Sequence, residues 1–343
     1  MLHVGLNLNN REALIAPDYG VPELLALGER AEALGFDSVW VGDSLFSKPR
    51  YEPLALAAAL SQRTRSIRLG TACLVTTLRN PLSLAQAWAT LDVLSNGRTI
   101  LGACSGNIAE EAVKREFAAL GLDPSARMGL FEEGLQVLRQ LLTSGRVTFS
   151  GEHFEFDDVA FYTGTEPAPL LPVQTPPPIW VVANPSLGRG RPQGVQLAAR
   201  RVATLGDGWL TCCRARAPEE VTQFVEAIAE ARAEVGSSPE GFTIAYQVTF
   251  ALGASRDEAY ASQRAYIDAY YPGFRDAVVL EDWGPAGTPE NVAEWISTFA
   301  DAGVGSFICR FAALDQIGQV EWFARDVLPA VRSLEDNAPR LNN

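Results

Sequence analysis

The sequence predicts an α/β protein folded as a closed (β/α)8 TIM barrel, with one insertion after the fourth strand–helix unit. Eight short apolar runs of β type alternate with segments of helical length along the chain. Such alternation specifies a parallel sheet. No glycine-rich dinucleotide-binding fingerprint follows the first run. Eight units without that fingerprint favour a closed barrel over an open doubly wound sheet.

The first half of the chain supplies four of these strands in a regular rhythm. Pro53 suits the first turn of the second helix, and Gly35 and Gly97 suit the ends of the first and third helices. The predicted strands are 2–8, 38–41, 67–75 and 99–104, and the predicted helices between them are 22–34, 53–61 and 82–95.

Residues 146–178 interrupt the rhythm after a predicted helix at 127–143, because a β-like stretch is followed there by a loop rich in Pro, Gly and Thr. Long irregular loops in compact domains are usually functional. We therefore expect this insertion to be the only large addition to the barrel and to act as a lid over the active site.

Alternation resumes after the insertion and continues to the end of a single predicted domain, residues 1–332, with a frayed tail at 333–343. The predicted strands are 179–182, 207–211, 242–252 and 306–311, and the predicted helices are 194–203, 218–235, 255–270, 288–303 and 315–332.

Composition narrows the class of protein. The formal net charge is −13, which argues against a nucleic-acid partner or an anionic membrane surface. No apolar run is long enough to span a bilayer, and the N-terminus reads as a first strand instead of a signal peptide, so we expect a cytoplasmic protein. Five cysteines favour free thiols in a reducing compartment. Two histidines exclude a His-rich metal site, and we expect no metal.

Small or polar residues follow the third and fourth strands, at Thr76-Thr77 and at Ser105-Gly106-Asn107. In parallel α/β proteins the ligand lies at the carboxyl ends of the strands. Asn7 and Asn9 at the end of the first strand would face the same mouth. The sequence therefore predicts a ligand site at this rim of the barrel.

A glycine-rich loop, ANPSLGRGRPQG at 183–194, follows the fifth strand and opens a helix. It contains Asn184, Ser186, Arg189 and Arg191. Helix N-terminal amides together with arginine bind dianions well. We expect this loop to hold a cofactor phosphate, and the alternative is an exposed flexible loop.

Four motifs together resemble the bacterial luciferase-like monooxygenases: AEALGFDSVWVGDS at 31–44, the segment from Gly70 to Gly106, PPPIWVVANPS and LGDGWL. The resemblance extends over roughly residues 1–330. It implies a (β/α)8 barrel that binds reduced FMN or the deazaflavin F420 at its strand ends. It also implies a homodimer or homotetramer.

The resemblance assigns cofactor contacts to two strand ends. At the fourth, Ser105, Gly106 and Asn107 would contact the flavin ring or its phosphate, although relatives often have arginine in place of Ser105. At the third, Thr71, Cys73 and Leu74 would form a bulge behind the ring, with a non-proline cis peptide at Cys73–Leu74. The alternatives are a plain turn and an ordinary buried strand end.

Asp43 and Ser44 follow the second strand, where members of this family frequently have histidine. Asp43 could act as the acid or base if burial raised its pKa. Alternatively it is structural and pairs with Lys48 or Arg50.

Substrate contacts are expected from Phe46, Tyr51, Trp209 and Arg310. The first three fit an apolar or aromatic molecule, although Trp209 would equally suit the core. Arg310, inside the last strand, would face the mouth or the barrel lumen, where it would bind an anionic substrate group or form a structural ion pair.

The expected activity is oxygenation of a small organic substrate by O2 and reduced FMN through a C4a-peroxyflavin. A separate flavin reductase would supply the reduced FMN, because the chain lacks a nicotinamide-binding fingerprint. One alternative is hydride transfer with F420. Another, of a different class, is a flavin-binding protein without catalytic activity.

Overall fold

A computed structural model describes residues 2–11, 19–109, 111–161, 170–184, 192–212, 217–238, 240–270 and 284–337. Eight parallel strands form a ring, as predicted. They are β1 (His3–Leu8), β2 (Ser38–Val41), β3 (Arg68–Thr71), β5 (Thr99–Cys104), β8 (Ile179–Val182), β9 (Gly208–Cys212), β10 (Thr243–Leu252) and β12 (Ser306–Phe311).

The ring closes because every one of these strands has a neighbour on both sides. β1 pairs with β2 through Leu6–Val39 and with β12 through Leu6–Cys309. β10 pairs with both β12 and β9, which joins the two halves. The sheet therefore has no free edge within the ring, and the closed barrel is confirmed.

Helices surround the ring at the positions that the sequence predicts, with α4 in addition and with the last helix continuing to Asn337, past the expected start of the tail at 333. They are α1 (Val21–Ala33), α2 (Pro53–Arg63), α3 (Pro81–Ser95), α4 (Glu111–Ala119), α5 (Arg127–Ser144), α6 (Pro192–Leu205), α7 (Pro218–Glu234), α8 (Arg256–Tyr270), α9 (Pro289–Asp301), α10 (Gln316–Trp322) and α11 (Leu328–Asn337). A π-helical turn, Phe323–Val327, joins the last two.

Alternate residues of each strand face opposite sides of the ring. Val4, Leu6 and Leu8 of β1 pack outward in the large core between the sheet and the helices. Trp40 and Trp180 belong to a second apolar cluster inside the ring, where their centroids are 5.1 Å apart. Trp40 needs a bare backbone beside it, since a Cβ at Gly5 would lie 2.5 Å from its Nε1.

The third strand is interrupted after Thr71 and resumes as β4 (Leu74–Val75). The non-proline cis peptide lies at Ala72–Cys73, so the expected position, Cys73–Leu74, is wrong by one residue. Ala72 N still donates to Val41 O at 2.9 Å, and Leu74 already pairs with Ala103 of β5. The break between the two ladders therefore falls immediately after Ala72.

The insertion begins as an antiparallel hairpin of β6 (Arg146–Ser150) and β7 (Glu155–Ala160). The hairpin lies on α5, where the Glu133 carboxylate accepts hydrogen bonds from the backbone N–H groups of Glu152, His153 and Phe154. This anchor holds the hairpin against the side of the barrel.

Residues 170–178 lie at the amino-terminal end of the barrel, which corrects the expectation of a lid for this part of the insertion. Gln174 Nε2 donates to Asp92 Oδ1 at 2.8 Å and to Thr99 O, where β5 begins. Leu101 N donates to Pro178 O. These contacts are at the end opposite to the expected mouth. Residues 162–169 lie outside the described ranges.

A second addition lies between β10 and β12, so the insertion is not the only one. β10 is followed by α8, then by β11 (Ala286–Gly287), and only then by α9, which returns to β12. Tyr270, the last residue of α8, contacts residues that follow β1 and β2. α8 therefore reaches the carboxyl-terminal rim of the barrel.

No helix among the residues described here combines the length and the apolar character that crossing a membrane requires.

Candidate functional site

Three polar residues lie side by side on the inner face of the ring, near the carboxyl ends of β1, β12 and β10. Arg310 pairs in register with Thr249, and its Nε donates to Thr249 Oγ1 at 3.0 Å. Arg310 follows Cys309, the partner of Leu6, and therefore lies beside Asn7. The expectation that Asn7 and Arg310 face the mouth agrees with this register.

Two amide side chains on this inner face are available to a ligand. Asn7 is 5% exposed and Gln247, two residues before Thr249, is 4% exposed. Neither side-chain amide makes a hydrogen bond within the described part of the chain, although buried amides normally have partners. Gln247 was missed from the sequence, since its place on the inner face follows only from the register with Ile308.

A cluster of cationic side chains surrounds Tyr270 at the same rim. Arg50 Nη2 is 2.8 Å from Tyr270 Oη, and Arg11 Nη2 donates to Tyr270 O at 2.6 Å. The guanidinium carbons of Arg11 and Arg310 are 4.0 and 5.5 Å from the centre of the Tyr270 ring. Sequence reasoning identified only Arg310, although Arg11 and Arg50 also follow strand ends.

Asp43 forms an ion pair with Arg79. Its Oδ2 is 2.6 Å from Arg79 Nη1, its Oδ1 is 3.0 Å from Arg79 Nη2, and Val75 N donates to Oδ2 at 2.9 Å. Burial alone would lower the pKa of Arg79, but the hydrogen bond and charge of Asp43 outweigh it and raise that pKa above its ordinary value. The expected acid–base role of Asp43 does not fit this geometry, and its partner is neither Lys48 nor Arg50.

Ser44 and Phe46 belong to a loop held by Glu116 of α4. The Glu116 carboxylate is buried and accepts from the backbone N–H groups of Phe46 and Ser47 at 2.5 and 2.7 Å. Ser44 Oγ donates to Lys48 O at 2.6 Å, which engages the hydroxyl proposed for catalysis. The Phe46 side chain is 73% exposed. Glu116 was missed, because nothing in the sequence connects α4 to this loop.

Tyr51, a further expected substrate contact, is half-buried after the same loop. Its carbonyl accepts a hydrogen bond from Asn10 Nδ2 at 3.2 Å.

Two expected contacts on the third strand, Thr71 and Leu74, lie in the core of this structure. Thr71 is fully buried, and its hydroxyl bonds to both the N and the O of Gly102 at 3.1 Å. Leu74 is also fully buried and belongs to the outer core. Cys73, which is half-buried at this rim, stays a candidate, whereas Cys309 is buried in the outer core, where burial raises its thiol pKa.

The loop after β5 has features that would let a ligand approach its backbone closely. Gly106 has φ of +79°, a conformation that glycine adopts without strain. Asn107 is exposed, and its Oδ1 accepts from Ala109 N at 3.2 Å. The Ser105 hydroxyl makes no hydrogen bond to any described residue, so it remains available to a ligand.

Asn184 is exposed at the end of the fifth barrel strand, where its Oδ1 accepts from Thr211 Oγ1 at 2.8 Å. The other residues expected in this phosphate loop, Ser186, Arg189 and Arg191, lie outside the described ranges. Their role stays a prediction.

Trp209 is a core residue, which corrects its expected contact with substrate. It lies on the outward face of β9, where it packs edge-on against Phe224 of α7 at 4.7 Å. Its Nε1 donates to Ala183 O at 2.8 Å. Trp209 is 1% exposed, so no substrate in the barrel can reach it.

The rim therefore offers amides, a hydroxyl, an arginine and small side chains around an inner surface closed below by two indoles. Such a surface can bind a planar molecule with a polar edge and an oxygen-bearing substituent. Within the described ranges, no group of three or more His, Cys, Asp or Glu side chains is placed to hold a metal ion.

The family model described as luciferase-like monooxygenase matches residues 3–306. The F420-dependent glucose-6-phosphate dehydrogenase of Amycolatopsis mediterranei (strain U-32) is 28% identical over 347 residues, covering 93% of this chain and 97% of that protein.

Two solved structures have the same fold. One is an F420-dependent secondary alcohol dehydrogenase in complex with an F420-acetone adduct, with a TM-score of 0.77, 23% identity, and coverage of 96% of this chain and 99% of that one. The other is the monooxygenase RslO1 from Streptomyces bottropensis, with a TM-score of 0.73, 22% identity and the same coverage. At these identities, the likeness shows the fold alone.

Proposed function

Since this chain belongs to the luciferase-like monooxygenase family and is an oxidoreductase, we propose that its cofactor is F420 and its substrate a molecule with an oxidisable carbon–hydroxyl group. One observation carries the proposal: the similarity to an F420-dependent dehydrogenase over 93% of the chain. Glucose 6-phosphate, the substrate named for that relative, contains such a carbon.

This proposal replaces the expected monooxygenase with the alternative drawn from the same resemblance. Monooxygenation is supported by solved structures under 25% identity, such as RslO1 at 22%. Likeness at that level carries the barrel and not the chemistry, because one fold supports many reactions. O2 and a flavin reductase are therefore not required partners.

The side chains at the rim fit a deazaflavin. The amides of Asn7 and Gln247 are buried but make no hydrogen bond within the described residues, and a ring edge carrying carbonyl and N–H groups would satisfy both. The small residues Ala72 and Cys73 leave space for a flat ring behind them. When bound, F420 supplies hydride transfer at its C5 atom.

The remaining contacts are proposed by position. Ser105 and Asn107 would bind the polar chain that leaves the ring, and Arg189 and Arg191 its phosphate. Arg310, held by Thr249 at 3.0 Å, would orient the substrate oxygen. Asp43 would not take the hydroxyl proton, because Arg79 occupies both of its oxygens.

We also propose that the enzyme is a cytoplasmic homodimer or homotetramer that acts on small molecules, without a nucleic-acid or membrane partner. The resemblance to the family supports the oligomer, and the net charge of −13 disfavours polyanionic partners.

The test is a spectroscopic titration of the purified protein with F420, FMN and anaerobically reduced FMN. We expect tight binding of F420 and bleaching of its visible absorbance when secondary alcohols or sugar phosphates such as glucose 6-phosphate are added. Oxygen uptake driven by reduced FMN, without F420 binding, would reject the proposal. Tight flavin binding with no turnover across the panel would favour a non-catalytic binding protein.

Two variants test the placement of the ring. Asn7→Ala and Gln247→Ala each remove one proposed hydrogen bond, so F420 binding weakens by about tenfold in each. Gln136→Ala is the matched control, because Gln136 is an exposed amide on α5. If Asn7→Ala and Gln247→Ala bind F420 as tightly as the control, the ring does not lie there.

A further inference from the structure

A cavity opens at the amino-terminal end of the barrel, opposite to the proposed active site. Its volume is about 250 Å³. Its walls come from the starts of several barrel strands and from the end of the insertion. Its lining includes Arg68, Arg139, Pro176, Pro178, Trp180 and Asp207.

This cavity is separated from the rim site by the apolar cluster inside the ring. Trp180 forms part of its lining and stacks on Trp40, with centroids 5.1 Å apart at an interplanar angle of 30°. Trp40 is fully buried, and Ile100, Leu210 and Ile308 complete the same layer. A ligand in this cavity would therefore contact Trp180 without reaching Asn7 or Arg310.

Two of the three charged residues in the lining neutralise each other. Arg139 Nη2 is 3.0 Å from Asp207 Oδ2, and Arg139 Nη1 is 3.2 Å from Asp207 Oδ1. Arg139 Nη2 also donates to Leu205 O, and Asp207 Oδ2 accepts from Ile179 N. The Arg139–Asp207 pair therefore has a structural role and contributes no net charge. The net charge of the cavity lining comes from Arg68.

Arg68 is half-buried and has few partners. The single hydrogen bond that its guanidinium makes to a described residue is a long one, from Nη2 to Gln174 Oε1 at 3.4 Å. A guanidinium has five N–H donors. Burial lowers the pKa of Arg68, and the Asp92 carboxylate behind Gln174 opposes that effect only through its charge. The cationic form is thus poorly compensated by the protein alone.

We propose that this cavity binds a small organic carboxylate with an aromatic body. The carboxylate pairs with Arg68, whose fork matches the two oxygens. The ring of the ligand packs against Trp180, Pro176 and Pro178. The cavity is somewhat smaller than pockets for drug-sized ligands, so the ligand has about the size of a benzoate or phenylacetate.

A fluorine NMR titration of the full-length protein with para-fluorobenzoate tests the proposal without any cofactor. We expect saturable binding to the unmodified protein and at least about tenfold weaker binding to Arg68→Met. Arg65→Met is the matched control, because Arg65 is exposed three residues away and its loss changes the net charge equally. No saturable binding, or equal binding to both variants, would overturn the proposal.

Two further measurements locate the probe. Asn7→Ala alters the rim only, so we expect binding of para-fluorobenzoate to stay unchanged in that variant. A loss of binding would place the probe in the rim site and overturn the proposal.

If Arg68→Met does not fold, Arg68→Lys keeps the positive charge but loses the forked guanidinium, and we expect weaker binding of para-fluorobenzoate. A crystal structure with para-bromobenzoate places bromine beside Trp180 if the proposal is correct and elsewhere if it is wrong.

Discussion

Asp43 and Arg79 form a two-point ion pair between the end of β2 and the turn after β4, with nitrogen–oxygen distances of 2.6 and 3.0 Å. The Asp43 side chain is 1% exposed and that of Arg79 is 18% exposed. Because Asp43 also accepts from Val75 N, the pair fixes the backbone next to the Ala72–Cys73 peptide. It fixes the backbone at the rim.

We expect that breaking this ion pair mainly lowers the free energy of unfolding. Asp43→Asn removes the buried counter-charge of Arg79 and leaves it only the exposed Glu52 carboxylate at 3.3 Å, so the free energy of unfolding falls by about 2–4 kcal/mol. Urea denaturation of Asp43→Asn and Arg79→Met measures this loss. Glu111→Gln is the control, because its exposed pair with Lys114 contributes at most about 0.5 kcal/mol. A loss no larger than the control would show that the pair is not a stabilising anchor.

Glu32 makes stability depend on pH in the acidic range. Burial raises its pKa, but the backbone N–H groups of Ile67, Ser66 and Arg65 outweigh that effect and lower the pKa from 4.5 to about 2. The folded state thus favours the carboxylate. Its contribution is complete above pH 4.5 and is lost as the pH falls towards 2.

The size of that contribution is about 1–2 kcal/mol, since solvent screening reduces the value that the pKa shift alone would give. We expect Glu32→Gln to flatten the dependence of the free energy of unfolding on pH over a window of about two pH units, roughly from pH 5 to 3. Urea denaturation at several pH values in that window measures this dependence. Glu230→Gln, on the exposed face of α7, serves as the control. A curve for Glu32→Gln as steep as that of the control would contradict the role of Glu32.

Trp209→Phe separates a core residue from a substrate contact. The change removes the hydrogen bond from Nε1 to Ala183 O and leaves a cavity beside Phe224. We expect the free energy of unfolding to fall by about 1–2.5 kcal/mol, while KM for the substrate stays within about twofold. A large rise in KM with unchanged stability would return Trp209 to the site.

Gly106→Ala tests the close approach after β5. A Cβ there would lie 3.2 Å from Val75 Cγ1 and 3.4 Å from Phe117 Cε2, and φ is +79°. Backbone strain lowers stability by about 1–2 kcal/mol, and the displaced loop weakens cofactor binding by about 5–10-fold. Gly236→Ala has φ of +69° but an empty surrounding, so it isolates the strain. Equal cofactor affinity in both variants would remove the loop from the site.

The phosphate loop gives a prediction that rests on sequence. Replacing Arg189 and Arg191 together with alanine removes charge-assisted contacts of about 1.5–3 kcal/mol, so cofactor affinity falls by about 10–100-fold. Isothermal titration calorimetry measures the dissociation constant. Replacing the exposed pair Arg63 and Arg65 provides the same change in charge elsewhere. An unchanged constant for the loop variant would remove it from the site.

Periodicity in the sequence was sufficient to predict the barrel. The run Thr99–Cys104 and the run Ser306–Phe311 are apolar, short and bounded by turns, and both are strands with those bounds. Eight such units without a dinucleotide-binding fingerprint favoured ring closure over an open sheet, and the family resemblance supported it. The same patterns located Asn7 and Arg310 at the rim, because a strand end identifies its own side of a parallel barrel.

The side that a residue faces was harder to predict. Trp209 and Leu210 are neighbours on one strand, yet only Leu210 points into the ring, and the parity is fixed by pairing with β8 and β10. The Asp43–Arg79 pair joins residues 36 positions apart, which no local pattern connects. The identity of the cofactor could not be predicted from local patterns either, because FMN and F420 enzymes share this fold.

The stacked Trp40 and Trp180 have an optical consequence. Two indoles fixed 5.1 Å apart couple their strong far-ultraviolet transitions, so we expect an exciton couplet in the native far-ultraviolet circular dichroism. The two side chains come from β2 and β8, which are separated by β3 and β5 and bring their indoles together only because the sheet curves into a ring, so we expect the couplet to be lost when the barrel unfolds. Spectroscopy alone can thus follow assembly of the scaffold, without any enzymatic assay.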